Sequence, residues 1–299
     1  MNKRKRGGRG LTLILIMICL AIGAAVVWGI VAGIGKIMDY GNHATISSES
    51  EAEVPGESMD NALETNPEEI PVESLPKNTY ATDGFYERDG LKCYYSAGVR
   101  GVPGIDVSSY QGDIDWEAVK EAGVEFAMIR VGYRGYVTGE LDLDDCFEDN
   151  IQGALDAGIQ VGVYFFSQAL NEEEAVEEAE FVLAQIQDYD VSYPVIFDWE
   201  EMEAQARTDE MNMLYLTSCA LSFCQTVEEA GYTAGVYFNQ AYGYQQLNLP
   251  SIQDYIFWLA QYEDAPTFVY DFQMWQYTNE GTVPGIEGPV DMNISFYRE

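Results

Sequence analysis

Histidine is almost missing from this sequence: the 299 residues contain one, His43, and it lies in a polar stretch. Ser-His-Asp and Cys-His catalysis are thereby excluded for the rest of the chain, and a conventional zinc hydrolase lacks its usual ligands. Cysteine is also scarce, with five in all. Cys19 sits in an apolar N-terminal run, which leaves Cys93, Cys146, Cys219 and Cys224, without metal-ligand spacing and with three pairings open if all four were bridged. Cys219 and Cys224 are five apart on a predicted helix and do not face one another. Basic residues are few as well, 15 against 50 acidic, for a formal net charge of -35. From residue 101 onward we count 5 basic and 37 acidic residues, so the imbalance belongs to the folding part of the chain. Nucleic acid is excluded as a partner, because phosphate binding needs a basic footprint. Dense polyanions would be repelled, whereas a carbohydrate without dense charge would not be. No metal and no cofactor are expected.

Most of the few basic residues are used early. Lys3, Arg4, Lys5, Arg6 and Arg9 precede residues 11–35, a run of 25 without a charged side chain. That length predicts a bilayer-spanning signal anchor, with residues 1–10 cytoplasmic and everything after Lys36 outside. A cleaved, unusually long signal peptide, giving a secreted protein, is the alternative. Residues 36–90 are rich in Glu, Ser, Asn and Pro and read as an acidic flexible spacer, with packing expected to begin around Tyr80. Residues 91–299 then form the folded domain.

Within that domain short apolar runs alternate with longer amphipathic stretches. Strands are predicted at 104–107, 126–131, 161–166, 195–199, 233–238, 256–260, 272–277 and 290–294, and helices at 116–122, 146–157, 172–187 and 210–230. In the third helix Ala175, Val176, Ala179, Val182, Leu183 and Ile186 recur at the helical period, Asn171 caps the start, and Glu174 completes a capping box. The acidic opposite face is expected to be solvated. Gly123, Gly158 and Gly231 each close a helix before a strand. Repeated helix-Gly-strand units, followed by strands with little room for helices between them, predict an α/β fold: an irregular TIM-like β/α barrel with eight strands and fewer than eight helices, preceded by the transmembrane helix.

The strand Val195-Ile196-Phe197-Asp198-Trp199-Glu200 carries the chemistry. Alternation along a strand points Asp198 and Glu200 the same way, about 6 to 7 Å apart. Asp106 ends the first strand and Asp291 lies in the last. Barrel closure makes those strands neighbours, so four carboxyl groups are expected at one mouth. Tyr110, Tyr164, Trp199, Tyr237, Trp275 and Tyr277 lie near strand ends, where rings can stack on sugar faces. Trp275 and Tyr277 share a strand face and Gln276 points opposite. Carboxylates with aromatics fit glycoside hydrolysis better than peptide hydrolysis.

These residues also carry a resemblance. Gly104-Ile105-Asp106-Val107-Ser108-Ser109-Tyr110-Gln111-Gly112, then Ile114-Asp115-Trp116, Phe126-Ala127-Met128-Ile129-Arg130, Gly162-Val163-Tyr164-Phe165-Phe166, Pro194 to Glu200, Trp275-Gln276-Tyr277 and Val290-Asp291-Met292-Asn293 resemble glycoside hydrolase family 25, the Chalaropsis-type N-acetylmuramidases. The resemblance covers about residues 101–297. It implies cleavage of the β-1,4 bond from N-acetylmuramic acid to N-acetylglucosamine in peptidoglycan glycan strands, with net retention and the substrate's acetamido group as nucleophile. Carried across, Glu200 is the proton donor and Asp198 its partner, while Asp106 and Asp291 line the same groove. Many members carry histidine on the third strand where this chain has Phe165 or Phe166. A silent wall-binding module and a hydrolase of another amino sugar polymer such as chitin are the competing readings. An acidic to neutral pH optimum is expected.

Overall fold

The computed structural model, which describes residues 75–298, closes eight strands into a barrel. They are β3 (Val99–Val107), β4 (Phe126–Arg134), β6 (Gln160–Ser167), β7 (Val191–Trp199), β8 (Ala234–Asn239), β9 (Ile256–Ala260), β10 (Met274–Gly281) and β11 (Val290–Arg298). Neighbours from β3 to β10 pair in parallel, and β3 pairs with β4 at one end of the series. The last strand, β11, fits antiparallel between β10 and β3. That reversal matters for the chemistry, because it puts the beginning of β11, not its end, at the rim where the parallel strands finish.

Helices cover the outside unevenly. α1 (Trp116–Glu121), α2 (Phe147–Asp156), α3 (Glu172–Ile186) and α4 (Met213–Glu229) fill the early crossovers. Two short pieces, α5 (Gln240–Gln245) and α6 (Leu249–Ile252), follow β8, and β9 to β11 are joined without helices. The barrel therefore has fewer helices than strands. Gly123, Gly158 and Gly231 close α1, α2 and α4 at φ values of 99°, 71° and 91°, a conformation that favours glycine. Asn171 caps α3 by accepting from the Glu174 N–H, but the Glu174 carboxylate accepts from Leu170 N, so the expected reciprocal box is replaced by a neighbouring bond. α4 starts later than its predicted range because Asn212 caps it, accepting from Leu214 N and Tyr215 N.

Strand alternation produces two apolar layers. Ile105, Ile129, Val163, Val195, Phe197, Val236, Leu259 and Trp275 face outward and join the helices in the main core. Val102, Phe126, Met128, Tyr164, Tyr193, Ile196, Trp258 and Met274 form the second cluster, which plugs the barrel interior. A Cβ on Gly104 would lie 2.3 Å from the Phe126 ring, so the absence of a side chain there makes room for that plug. Not all of the acidic face of α3 is solvated. Glu178 is buried and paired with Arg134 at 2.7 Å, an arrangement that periodicity alone could not reveal.

The ordered packing also takes in residues from the stretch read as spacer. Leu75 is buried, and Tyr80 stacks on Phe296 with ring centroids 4.0 Å apart. A hairpin of β1 (Phe85–Arg88) and β2 (Leu91–Ser96) then extends the sheet beside β3, and the short β5 (Leu141–Leu143) pairs antiparallel with the end of β4. The four described cysteines are unbridged.

One expectation is corrected. The predicted membrane-spanning helix falls on residues 11–35, outside the described residues, and among the described residues no helix is long and apolar enough to cross a membrane. The longest, α4, has 17 residues against the ~20 a span requires, and its apolar face is spent on the barrel. The described residues form the barrel and include no transmembrane helix. A single-pass membrane location and a bilayer partner are not supported.

Candidate active site

Because Ile196 points into the barrel, Asp198 and Glu200 follow it onto the interior side, whereas Trp199 turns outward. Asp106 and Asp291 are direct cross-strand partners in the antiparallel β3–β11 pair. All four carboxyl groups line one cavity of about 670 Å³ at the C-terminal end of the parallel strands. Its wall includes Tyr110, Tyr133, Tyr136, Tyr164, Tyr237 and Tyr262, with Phe166 and Met202. Tyr110 is 85% exposed and stands at the mouth, its ring 5.1 Å from the Arg130 guanidinium. Among the described residues no group of three or more His, Cys, Asp or Glu is placed to hold a metal ion.

A directed hydrogen-bond chain fixes Asp106. The Trp258 indole can only donate, and it does so to Asn293 Oδ1 at 2.8 Å. Asn293 Nδ2 must then face Asp106, and it donates to Oδ2 at 2.7 Å. Gln276 Nε2 donates to the same oxygen at 2.9 Å, while Gln276 Oε1 accepts from the hydroxyls of Tyr237 at 3.1 Å and Tyr262 at 2.9 Å. Oδ2 is fully engaged by two N–H groups, so a proton on Asp106 belongs on Oδ1. Asp198 contrasts with it: Oδ1 is buried without a partner, an acceptor waiting for a donor from a bound molecule.

All four carboxyl groups have raised pKa values, Asp106 and Asp198 strongly so. Burial is the main cause for Asp106, with the Asp291 charge next. For Asp198 burial again leads, followed by the charges of Glu200 and Asp106, and Arg130 works in the opposite direction. Glu200 is raised by burial and then by Asp291. Asp291 is raised by burial, and its hydrogen bond with Asp106 opposes that rise. The sign gives a test. Asp291→Asn removes a charge that helps Glu200 keep its proton, so the basic limb of the kcat/KM profile should move to lower pH. An unmoved basic limb in a folded, active variant would remove Asp291 from that role.

Of the ten residues expected from sequence, the structure brings seven to the cavity: Glu200, Asp198, Asp106, Asp291, Tyr110, Tyr164 and Tyr237. Trp199 instead packs on Tyr242, with centroids 5.7 Å apart. Trp275 is buried on the outer face and donates to Gln261 O at 2.8 Å, and Tyr277 lies beside it with Lys92 over both rings. The inward residue of that strand is Gln276. Sequence reasoning missed Asn293, although it lies two positions after Asp291 and so shares its strand face. Arg130 was likewise readable as inward from its two-residue spacing to Met128. Its Nη2 pairs with Asp144 at 2.7 Å and donates to Ser109 Oγ at 3.2 Å, contacts that no local pattern announces.

Comparison with known proteins agrees with this arrangement. The family model "Glycosyl hydrolases family 25" matches residues 105–286. The chain is 28% identical over 191 residues to the autolytic lysozyme of Clostridium acetobutylicum, an alignment covering 64% of this chain and 54% of that protein. Lysozyme M1 of Streptomyces globisporus is 29% identical over 211 residues, covering 66% of this chain and 68% of its own. Among solved structures, the modular autolysin LytC of Streptococcus pneumoniae, in complex with a synthetic peptidoglycan ligand, aligns with a TM-score of 0.58 and 26% identity. That alignment covers 72% of this chain and 52% of LytC. The chain thus spans about half the length of the clostridial lysozyme and of LytC.

Proposed function

Because the chain belongs to glycosyl hydrolases family 25, we propose that it cleaves the β-1,4 bond from N-acetylmuramic acid to N-acetylglucosamine in peptidoglycan, with net retention and assistance from the substrate. The observation that carries this reading is the inward pair Asp198 and Glu200, set against Asp106 and Asp291 in a cavity walled by tyrosines.

In the first step Glu200 gives its proton to the glycosidic oxygen as the bond to the muramic anomeric carbon breaks. The acetamido oxygen of the same sugar bonds to that carbon, forming an oxazolinium ion. With Glu200 protonated, its repulsion of Asp198 is relieved and the Arg130 charge favours the Asp198 carboxylate, so the unpartnered Oδ1 accepts the acetamide N–H and its negative charge stabilises the cation. In the second step Glu200, now ionised, takes a proton from water. The water oxygen attacks the anomeric carbon, the oxazolinium ring opens, and the acetamide is restored with the original configuration. The raised Glu200 pKa keeps the acid loaded when substrate arrives. Tyrosine rings along the wall support the sugar faces, and a lining in which the carboxyl groups outnumber Arg130 and Arg134 suits a glycan over a polyphosphate.

The test is incubation with purified peptidoglycan and, separately, with chitin oligosaccharides. Release of reducing ends from peptidoglycan with little from chitin is expected, with the β-anomer appearing first by proton NMR. Preferential chitin cleavage, binding without cleavage, or the α-anomer appearing first would overturn the corresponding part of the reading.

A further inference from the structure

Among the described residues none hydrogen-bonds the Glu200 carboxyl group, which stands one residue beyond the end of β7. Its position therefore depends on how the main chain is held on either side. The Glu200 carbonyl accepts from Gln168 Nε2 at 3.0 Å, and the following N–H, of Glu201, donates to the Tyr242 hydroxyl at 3.1 Å.

Gln168 is a directed clamp. It comes immediately after β6, the strand beside β7, and is completely buried. Its Nε2 also donates to Ser167 O at 3.0 Å, so both contacts of that nitrogen are to carbonyls. Its Oε1 accepts from the Thr208 hydroxyl at 2.7 Å. A side-chain amide turned end for end would set its oxygen against two carbonyl oxygens, and the Thr208 hydroxyl favours the productive orientation. Thr208 is itself buried and lies in the connection from β7 to α4. The adjacent Arg207 fastens that connection: its N–H donates to Tyr136 O at 2.9 Å, and its guanidinium pairs with Glu174 at 2.6 Å.

We propose that Gln168 and Thr208 are positioning residues for the catalytic acid, locking the Glu200 main chain so that its carboxyl group meets the glycosidic oxygen. The inference rests on the muramidase reading and assigns it a second layer of residues that never touch the substrate. A clamp of this kind acts on the reacting geometry and not on sugar binding, so its loss falls on kcat. Misplacement of a reacting group by about 1 Å can cost on the order of 100-fold.

The experiment compares Thr208→Val, Thr208→Ser and Gln168→Met with the wild type on purified peptidoglycan, each checked for folding by thermal unfolding. Thr208→Val keeps the shape and removes the donor. It is expected to lower kcat about tenfold with KM within about twofold, whereas Thr208→Ser restores at least half of the wild-type kcat. Gln168→Met is expected to lose about 30-fold or more and to shift the basic limb of the pH profile, because Glu200 changes its surroundings. Wild-type kcat in folded Thr208→Val, a loss confined to KM, or failure of Thr208→Ser to restore turnover would overturn the inference. If Gln168→Met does not fold, the valine and serine pair decides. A wild type that releases no reducing ends would instead overturn the muramidase reading beneath it.

Discussion

Glu200→Gln is expected to lower kcat on purified peptidoglycan by about 10² to 10⁴-fold while leaving KM within about threefold. The substitution preserves the size and most hydrogen-bonding capacity of the side chain, so the cavity wall and its tyrosines should still receive the glycan. It removes the transferable proton. Burial and the Asp291 charge raise the pKa of the wild-type group, so it keeps its proton to higher pH than an exposed glutamate does. The amide has no equivalent at any pH, so the deficit should persist across the whole profile. Retention of more than about a tenth of wild-type turnover would remove Glu200 from the donor role.

Asp198→Asn is expected to lower kcat by about 10² to 10³-fold through a different step. Asp198 lies deeper than Glu200, has an oxygen with no partner, and shares its strand face. In the proposed mechanism an ionised carboxylate there accepts the acetamide N–H and opposes the positive charge of the oxazolinium ion. Asparagine can still accept through its carbonyl oxygen, but it offers no charge. The step distinguishes this role from covalent catalysis, because a nucleophilic aspartate would form an ester to the sugar. Mass spectrometry of wild type quenched during turnover should therefore find Asp198 unmodified. A glycosyl adduct on Asp198, or an Asp198→Asn variant with near wild-type kcat, would contradict the assignment.

Most of the barrel was legible because its strands are short apolar runs bounded by helix-closing glycines, and both signals are local. The antiparallel setting of β11 was not, since strand direction depends on the length and path of the preceding connection. Asp291 reaches the rim because of that reversal, through its register with Asp106. Alternation placed Asp198 and Glu200 correctly and also implied that Trp199 faces away from them. The attraction of aromatic rings near strand ends outweighed that implication for Trp199, Trp275 and Tyr277, which the structure packs on the outer face. The amides of Gln276 and Asn293 carry no charge and form no motif with Asp106 in sequence. Their importance arises only when strands distant in the chain are brought side by side. The same is true of Gln168 and Thr208, 40 positions apart and joined by one buried hydrogen bond.

Under the proposed reading this barrel hydrolyses the muramic acid glycosidic bond with Glu200 as its acid. Mass spectrometry of the fragments released from purified peptidoglycan by wild type and by Glu200→Gln tests it most directly. Wild type should release fragments with N-acetylmuramic acid at every new reducing end, and the variant almost none. New reducing ends carrying N-acetylglucosamine, or equal release by the two proteins, would contradict it.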